Sequence, residues 1–543
     1  MTLNIAETLV EAASKYSDKV GLIEAKTGKS LTFSQLQHYS DQLAVYLSDK
    51  GVRRGDRVML MVTPSADFIC LTFALFKIGA PVILIDPGMG YRNLLRCIAG
   101  VRPEIFIGVP KAHLFRKVYP KPFSTIRHAF CCGASWGLFG ADIRQASQHC
   151  AGNFQIHRPA ADDLAAIIFT TGSTGPPKGV RYEHSIFATQ LGLIKDYYGI
   201  SPADVDQPAF PLFALFSTAL GACSVIPDMN PAQPAQVDPV KFLNSINRHK
   251  VTYSFGSPAI WDVVSRYCIE KGITITSLRQ VLMAGAPVSG ELIQRMQAIL
   301  PSGARIHTPY GATESLPIVS MEGREILEST WKVTRAGGGT CVGRALPGIR
   351  IMIIAISDEV IAELDDACPL PVGTIGEIIV SGGVVTRSYD NNEAETQFSK
   401  IRDGEKFWHR MGDTGYLDGE GRLWFCGRRA HRVRTNKQDL FTIPCEAIIN
   451  VHPQVRRTAL VGIPDINNPG LQEPVLIIEK KKNIRVDDLL LLQEIRKLAA
   501  GSRLTGDIKH FLFHHDFPVD IRHNAKIFRE KLSLWAELEL KKR

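Results

Sequence analysis

Residues 165–180 read AAIIFTTGSTGPPKGV, an apolar run followed by a turn rich in glycine and hydroxyl side chains. The glycine backbone, the Ser and Thr hydroxyls and the Lys178 ammonium offer the N–H donors, O–H donors and cation that phosphate oxygens need. The stretch is not a Walker A loop, because Pro177 and Gly179 occupy the positions where that motif has glycine and Ser/Thr. The hydroxyl that would bind Mg²⁺ is absent here, so a metal ligand must come from elsewhere. A flexible surface turn is the alternative interpretation of this stretch taken alone.

Strand-like and helix-like segments alternate on both sides of this turn. The predicted strands lie at residues 57–62, 81–85, 165–169 and 280–284, and the predicted helices at residues 66–77 and from His184 onward. Strand, helix and strand in this order indicate βαβ units and mainly parallel sheets. We therefore predict an α/β fold class, with helices flanking parallel sheets in the first part of the chain.

The pattern changes towards the C-terminus, where short β-branched runs with frequent glycine predict a small β-rich subdomain and then a compact α+β unit. The predicted strands of this part lie at residues 350–356, 376–380, 422–426, 458–463 and 474–479, and a predicted helix at residues 486–500. We place a domain boundary at Gly427. This gives a large N-terminal domain of residues 1–426 and a small, mobile C-terminal domain of residues 427–543.

Composition and charge narrow the class of protein. Hydrophobic residues make up 45% and charged residues 22% of the 543 residues, so the chain can bury a large core. The net charge is +9, and residues 427–543 hold 22 Lys or Arg against 14 Asp or Glu. A basic surface of this kind suits a nucleotide, an anionic partner or acidic lipid, and a solvated basic face is the plainer alternative. No nucleic-acid recognition motif accompanies it, so we expect no nucleic acid partner.

Neither the cysteine spacing nor the N-terminal residues indicate export. The 11 cysteines form no C-x-x-C pair, and the first residues lack the basic region and apolar block of a signal peptide. We therefore expect a reducing, cytoplasmic location. The uncharged stretch 207–227 is long enough to span a bilayer, but its prolines, serine and threonine favour a buried core segment or the lining of an apolar pocket. No transmembrane segment is predicted.

Several segments resemble, in chain order, the motifs of the acyl-adenylate-forming or AMP-binding superfamily, which contains acyl-CoA synthetases, nonribosomal peptide adenylation domains and luciferases. The turn at 170–180 resembles the phosphate loop of that family. The segment 284–287 (AGAP) resembles its adenine-side loop, and 310–314 (YGATE) resembles the segment that carries an aromatic residue, a threonine and an Mg²⁺-binding carboxylate. The segment 412–415 (GDTG) resembles the one whose aspartate holds the ribose hydroxyls.

The resemblance implies a site for ATP and Mg²⁺. Gly427 and Arg428 resemble the start of the family's hinge, and Lys526 resembles the catalytic lysine of its small domain. The implied nucleotide-binding residues are Thr170, Thr171, Gly172, Ser173, Thr174, Gly175, Lys178, Gly285, Ala286, Pro287, Tyr310, Gly311, Asp413 and Arg428. The implied catalytic residues are Lys526, Thr313 and Glu314, and Glu314 is also the implied metal ligand.

The side chains suit the activation of a carboxylate by ATP. Attack of a carboxylate on the α-phosphorus expels pyrophosphate and builds charge on phosphoryl oxygens. Lys178 and the loop donors can hold the triphosphate, Glu314 can bring Mg²⁺, and Lys526 can neutralise the developing charge. Asp413 can accept hydrogen bonds from two ribose hydroxyls. Plain structural interpretations exist beside these roles: Asp413 as the cap of a turn, Glu314 as a helix-start carboxylate and Lys526 as a solvated helix lysine.

The chain departs from the CoA-forming members after the hinge. Those members have a lysine followed by glycine, which lets the loop approach the thiol-carrying arm, whereas residues 434–441 (RTNKQDLF) contain no glycine. His431 stands near a position where an acidic or lysine hinge residue is expected. The segments 174–179 (TGPPKG) and 522–532 (RHNAKIFREKL) resemble one narrower group, the β-lactone synthetases of bacterial long-chain olefin biosynthesis.

This resemblance implies adenylation of a long-chain 3-hydroxy fatty acid, whose own hydroxyl then displaces AMP to close a β-lactone. A fatty acyl-CoA or acyl-AMP ligase is the alternative enzyme, and a catalytically silent nucleotide- or acyl-binding protein is the alternative of another class. The resemblance leaves open an assembly with other olefin-pathway enzymes. The predicted apolar lining of the acyl site consists of Phe210, Leu212, Phe213, Leu215 and Phe216, each of which also has a plain core interpretation.

Overall fold

The first part of the chain forms two sheets with flanking helices, in a computed structural model that describes residues 4–150, 153–170, 175–210, 212–482, 487–519 and 527–542. Its strands are β1 Val20–Glu24, β2 Ser30–Thr32, β3 Val58–Met61, β4 Val82–Leu84, β5 Ile105–Gly108, β6 His128–Cys131, β7 Leu164–Phe169, β8 Gly179–Glu183, β9 Val205–Asp206, β10 Cys223–Ile226, β11 Tyr253–Gly256, β12 Gln280–Met283 and β13 Arg305–His307. Its helices are α1 Ile5–Lys15, α2 Phe33–Asp49, α3 Ala66–Ile78, α4 Tyr91–Val101, α5 Pro110–Val118, α6 Ile143–Ala146, α7 His184–Tyr198, α8 Phe213–Ala219, α9 Pro239–His249, α10 Pro258–Lys271 and α11 Gly290–Ile299.

Both sheets are mainly parallel. The six-stranded sheet has the order β6-β5-β3-β4-β7-β8, and its β7–β8 pair is antiparallel. The seven-stranded sheet has the order β13-β12-β11-β9-β10-β1-β2, with an antiparallel β1–β2 pair. Helix α3 connects β3 to its parallel neighbour β4, so the βαβ unit and the α/β class predicted from the sequence are confirmed.

Helix α3 shows how local sequence sets this architecture. The Ser65 side chain caps the helix by accepting a hydrogen bond from the Phe68 N–H at 3.3 Å. Gly79 ends the helix with a left-handed φ of 77°, a conformation that glycine adopts without a Cβ clash. The helix packs against α2, β1 and β4, and nearly all of its side chains are buried. An ion pair of 2.7 Å between Lys77 and Asp41 lies within this interior.

The β-rich subdomain follows. Its strands are β14 Tyr310–Ala312, β15 Ser315–Ser320, β16 Thr340–Ala345, β17 Arg350–Ile354, β18 Gly376–Ser381, β19 Lys400–Asp403, β20 Lys406–Leu417 and β21 Leu423–Arg428, and its helices are α12 Gly323–Glu325, α13 Trp331–Arg335 and α14 Glu393–Ser399. The strands form one sheet in the order β14-β15-β16-β21-β20-β18-β17, with β19 paired to β20. Strand β21 runs to Arg428, so the predicted domain boundary at Gly427 falls inside a strand and stays a prediction.

The C-terminal residues form a separate small sheet. The strands here are β22 Val433–Arg434, β23 Asp439–Leu440, β24 Val455–Pro464, β25 Gln472–Lys480 and β26 His510–Phe513, and the helices are α15 Thr442–Asn450, α16 Asp488–Ala500 and α17 Arg529–Lys541. β22 and β23 form a hairpin, and β24, β25 and β26 form a three-stranded sheet. The strands predicted at 458–463 and 474–479 lie within β24 and β25.

The uncharged stretch 207–227 contains α8 and β10, whose residues are almost entirely buried. Burial agrees with the interpretation of this stretch as core and pocket lining. Across the described residues, every helix is too short or too polar to cross a bilayer.

Candidate active site

One cavity of about 1910 Å³ collects residues from both parallel sheets, the β-rich subdomain and the C-terminal residues. The predicted site residues that line it are Thr170, Gly175, Lys178, Gly285, Ala286, Pro287, Tyr310, Gly311, Thr313, Glu314, Asp413 and Arg428. These positions are spread over some 260 residues of chain, so only folding brings them together. The predicted positions Thr171, Gly172, Ser173, Thr174 and Lys526 lie outside the described residues.

The phosphate-loop segment connects the antiparallel strands β7 and β8. The backbone N–H of Thr170 donates to the Lys178 carbonyl at 2.9 Å, and the Lys178 N–H donates to Thr170 Oγ1 at 3.1 Å. These two bonds close the base of the turn. They fix where the Lys178 side chain leaves the backbone, at the edge of the cavity.

The Lys178 side chain points into a group of acidic and aromatic side chains. Its ammonium forms an ion pair with Glu395 of α14 and lies 5.4 Å from the centre of the Tyr389 ring. The Ser399 hydroxyl donates to Glu395 Oε1 at 3.0 Å, which holds the carboxylate in place. Sequence reasoning did not identify Glu395, because an acidic residue on a short helix belongs to no motif.

Glu314 lies in the turn between β14 and β15, so its interpretation as a helix-start carboxylate is wrong. The Tyr389 hydroxyl donates to Glu314 Oε1 at 2.7 Å, and the Thr386 N–H and hydroxyl both donate to the Glu314 carbonyl at 3.0 Å. Burial and the nearby Glu314 charge raise the pKa of Tyr389, so the phenol remains a donor at neutral pH. The neighbouring Thr313 carbonyl accepts a hydrogen bond from the Tyr182 hydroxyl.

A buried lysine that sequence reasoning did not identify, Lys400, lies close enough to Glu314 for their charges to interact. Lys400 begins β19 and is buried, with its ammonium 3.4 Å from Thr386 Oγ1 and 5.9 Å from the centre of the Tyr389 ring. Burial lowers the pKa of Lys400 to about 8, although the Glu314 and Glu183 charges oppose this change. Two ammonium groups, those of Lys178 and Lys400, therefore lie near the Tyr389 ring.

Asp413, Tyr310 and Arg428 form a second polar group on the cavity wall. The Tyr310 hydroxyl donates to Asp413 Oδ2, and Arg428 Nη1 lies 3.0 Å from Asp413 Oδ1. Asp413 and Arg428 are direct partners in the β20–β21 ladder. Because Asp413 belongs to strand β20, its interpretation as the cap of a turn is wrong. The Asp413 charge raises the pKa of Arg428, which keeps the guanidinium charged.

The apolar part of the cavity is lined by four of the five predicted acyl-site residues. Phe210, Leu212, Phe213 and Phe216 line it, and the Phe213 ring stacks on the Phe255 ring with a centroid distance of 3.7 Å. Leu215 is fully buried in the core of the first part of the chain and does not line the cavity, because the α8 helix turns its side chain away from it.

One carboxyl group in the apolar wall was also missed by sequence reasoning. Asp206, at the end of β9, lines the cavity and is buried. The Ser217 hydroxyl donates to Asp206 Oδ2 at 2.6 Å. Burial raises the pKa of Asp206 to about 8, although hydrogen bonds with the Ser217 and Tyr253 hydroxyls act to lower it. This carboxyl group is therefore largely protonated at neutral pH.

The C-terminal residues reach the cavity through Ile527 and Arg529, which follow Lys526. Arg529 pairs with Glu446 of α15, with Nη2 3.1 Å from Oε2, and this pair fixes the start of α17. His431 lies in the short turn after β21, with Nε2 3.2 Å from Glu530 Oε1. The glycine-free stretch 434–441 forms the β22–β23 hairpin, in which the Thr435 hydroxyl donates to the Gln438 carbonyl at 2.7 Å.

The cavity joins a wall of charged and hydroxyl side chains to an apolar wall, between two parallel sheets and a β-rich subdomain. Residues 9–390 match the AMP-binding enzyme family, so the chain belongs to that family. The chain is 42% identical to the olefin beta-lactone synthetase of Xanthomonas campestris pv. campestris, over 98% of this chain and 97% of that protein. It is 43% identical to the olefin beta-lactone synthetase of Stenotrophomonas maltophilia, over 99% of both chains. Both resemblances stated from the sequence are thereby confirmed.

Solved structures show the same fold at much lower identity. The ATP-bound structure of MatB from Rhodopseudomonas palustris superposes with a TM-score of 0.78, at 20% identity and over 98% of both chains. This similarity shows that nearly the whole chain has the same fold as MatB.

Proposed function

We propose that this protein activates a long-chain 3-hydroxy fatty acid with ATP and then closes it to a β-lactone. The observation that carries the proposal is the identity of 42–43% to two olefin beta-lactone synthetases over almost the whole chain. In the first step a carboxylate oxygen attacks the α-phosphorus, and the bond to pyrophosphate breaks. In the second step the 3-hydroxyl oxygen attacks the acyl carbon, the bond to AMP breaks and the hydroxyl proton is released.

The cavity residues carry functional groups suited to the first step. Lys178, Thr170 and Asp413 line the cavity. Lys178 and the Thr170 hydroxyl are proposed to hold triphosphate oxygens, and Asp413 is proposed to accept hydrogen bonds from the two ribose hydroxyls. Gly175, Gly285, Ala286, Pro287, Tyr310, Gly311 and Arg428 line the cavity and are proposed to bind the nucleotide. Thr171, Gly172, Ser173 and Thr174 are proposed to take part in phosphate binding with them. Lys526 is proposed to neutralise the charge that develops between the carboxylate and the α-phosphate, and Thr313 to contact the phosphate.

Glu314 is the proposed ligand of Mg²⁺. The described residues contain no cluster of three or more side chains that could hold a metal ion alone. One carboxylate fits the preference of Mg²⁺, which is commonly held by one or two carboxylates together with substrate phosphates and water. When bound, Mg²⁺ would neutralise charge on the phosphate oxygens. The Tyr389 hydroxyl, 2.7 Å from Glu314 Oε1, orients this carboxylate towards the cavity.

The second step needs no external thiol. The β22–β23 hairpin has bulky side chains where a glycine would let a pantetheine arm pass, which favours an internal nucleophile over CoA. Intramolecular attack also has a high effective concentration, which helps to offset the strain of a four-membered ring.

We also propose a division into a domain of residues 1–426 and a smaller domain of residues 427–543 that carries Lys526. The small sheet of β24, β25 and β26 with its own apolar core supports a separate C-terminal unit. The proposed location is the cytoplasm, because the reaction consumes ATP. Assembly with other enzymes of olefin synthesis is proposed because a strained lactone is reactive and benefits from direct consumption.

The test is an incubation of the protein with ATP, Mg²⁺ and either a 3-hydroxy or an unsubstituted fatty acid, each with and without CoA. The 3-hydroxy acid should give AMP, pyrophosphate and a product lighter than the acid by one water, with no dependence on CoA. The unsubstituted acid should be adenylated, and its acyl-adenylate should then be hydrolysed slowly. Acyl-CoA as the main product of either acid would show that the protein is a ligase of the CoA-forming kind.

A further inference from the structure

A strongly basic surface lies at one side of the cavity. It consists of α4, α5, residues 119–121 and the loop 134–140, which we call the mouth face. Residues 91–140 contain 8 Lys or Arg and a single acidic residue, Glu104. The net charge of the whole chain is only +9. Residues 91–140 and the C-terminal residues are therefore the two regions in which positive charge is concentrated.

The cations of the mouth face have no acidic partner among the residues that the structure describes. Arg92, Arg96, Lys111, Lys117 and Lys121 form no ion pair with any described residue. Arg127, at the margin of the same segment, by contrast pairs with Asp56. A cluster of unpaired cations of this kind attracts an anionic surface over about one Debye length, roughly 8–10 Å at physiological salt.

Large apolar side chains project from the same surface. Trp136 is 100% exposed, Leu138 69% and Tyr91 71%, and Leu114 and Val118 of α5 are also exposed. Single exposed apolar residues are common in soluble proteins, but a group that is interleaved with cations marks an interaction surface.

The loop that carries Trp136 and Leu138 is joined to α5. The Phe139 ring stacks on the His113 ring at 5.2 Å, and the Lys117 ammonium lies 5.0 Å from the centre of the Phe139 ring. The exposed side chains of the loop and the cations of the helix are therefore parts of one surface.

The mouth face is continuous with the cavity. Tyr91, Lys111 and Phe115 line the cavity, and the Tyr91 and Phe115 rings are 5.9 Å apart. The Phe115 ring is in turn 5.1 Å from the ring of the exposed Tyr119. A row of aromatic rings thus leads from the cavity wall to the exposed surface.

We propose that the mouth face binds the surface of an anionic phospholipid bilayer, with the Trp136 and Leu138 side chains at the level of the headgroups. Aromatic residues favour the membrane interface, and each Lys or Arg near an anionic bilayer adds to the attraction. Charge complementarity and the continuity with the cavity favour a bilayer over an acidic protein, whose apolar contacts are usually gathered in a packed centre. A lipid substrate would then pass from the bilayer to the cavity between Tyr91 and Phe115, a step that rests on the proposed function.

The test is co-sedimentation of the full chain with vesicles of phosphatidylcholine alone or mixed with phosphatidylglycerol, at low and high salt, in the absence of ATP and fatty acid. The protein should bind the mixed vesicles, and binding should weaken as salt increases. Trp136→Ser with Leu138→Ser should reduce binding, and Lys117→Gln with Lys121→Gln should reduce it by about fivefold for each cation removed.

Matched variants on other surfaces give the controls. Ile466→Ser changes a side chain that is 90% exposed but lies in the C-terminal unit, and Arg248→Gln with Lys332→Gln removes two exposed cations elsewhere. These variants should bind like the unchanged protein. Absence of binding to mixed vesicles, or equal loss of binding in the control variants, would overturn the proposal.

A kinetic arm separates membrane binding from catalysis. With the acid presented in anionic vesicles, Trp136→Ser with Leu138→Ser should raise the KM for the acid, and with the acid in neutral detergent micelles it should leave the KM unchanged. An equal rise in both presentations would overturn delivery from the bilayer. Failure of the proposed function would appear instead as a lack of lactone from every presentation, while vesicle binding would be unaffected.

Discussion

The Lys178 ammonium forms an ion pair with the Glu395 carboxylate, so the cation proposed to hold the triphosphate has an anionic partner within the protein. Glu395 lies on α14, far along the chain from the phosphate loop. A triphosphate that binds Lys178 must therefore compete with this carboxylate, which also repels its charge.

We predict that Glu395→Gln lowers the KM for ATP. Both side chains are about one-quarter exposed, so solvent screening limits the effect to about two- to fivefold. The measurement is pyrophosphate release as a function of ATP concentration. Glu393→Gln on the same helix is the control, and an unchanged or raised KM in Glu395→Gln alone would contradict a competition at Lys178.

Lys526→Ala should reduce the rate of pyrophosphate release by about 10²-fold or more, as the loss of a preorganised charge-stabilising donor often does. ATP should still bind, because the proposed contacts with the ribose and the triphosphate are made by other residues. Lys542→Ala, near the end of the chain, serves as the matched control. A normal rate in Lys526→Ala would show that the terminal motif was assigned to the wrong lysine.

Glu314→Gln should raise the Mg²⁺ concentration needed for half-maximal rate by about tenfold, equivalent to about 1.4 kcal/mol. The amide keeps an oxygen that can accept from Tyr389, so the fold should be retained. Tyr389→Phe is the informative comparison, because it removes the hydroxyl at 2.7 Å but leaves the carboxylate charge, and its effect on Mg²⁺ should be smaller. The same Mg²⁺ dependence in Glu314→Gln and the unchanged protein would exclude Glu314 as a ligand.

The buried Lys400 should give the protein a specific dependence of stability on pH. Burial lowers its pKa from 10.5 to about 8, so between these values the unfolded chain binds more protons than the folded one. The free energy of unfolding therefore rises with pH in this window. Relative to Lys400→Met, the unchanged protein should gain stability from pH 8 to pH 10.5, as measured by denaturant unfolding. A difference that stays constant or shrinks over this range would contradict a lowered pKa.

The sequence predicted the secondary structure well where local signals were strong. The helix predicted at 66–77 has a serine cap before it and a glycine after it, and the structure places α3 at Ala66–Ile78. The strand predicted at 165–169 is an apolar run that ends at the phosphate loop, and β7 covers Leu164–Phe169. These elements are defined by residues within a few positions, which a sequence displays directly.

The polar groups that line or surround the cavity were predictable only in part. Glu314 and Asp413 belong to motifs. Lys400, Glu395 and Asp206 belong to none, and in the sequence nothing distinguishes these three from ordinary charged surface residues. Their role follows from burial or from partners in distant segments, and these depend on tertiary packing. A buried charge cannot be told from a solvated one by its neighbours in the chain.

The pairing of Asp413 with Arg428 has a mechanical consequence. The two residues are opposite one another in the β20–β21 ladder, and Arg428 is the last residue of β21. A pivot beyond Arg428 would leave this residue in register with the strand that carries Asp413. A pivot placed there would let the C-terminal residues swing while the carboxylate and the guanidinium keep their positions, so that a nucleotide held by its ribose could stay bound through the whole movement.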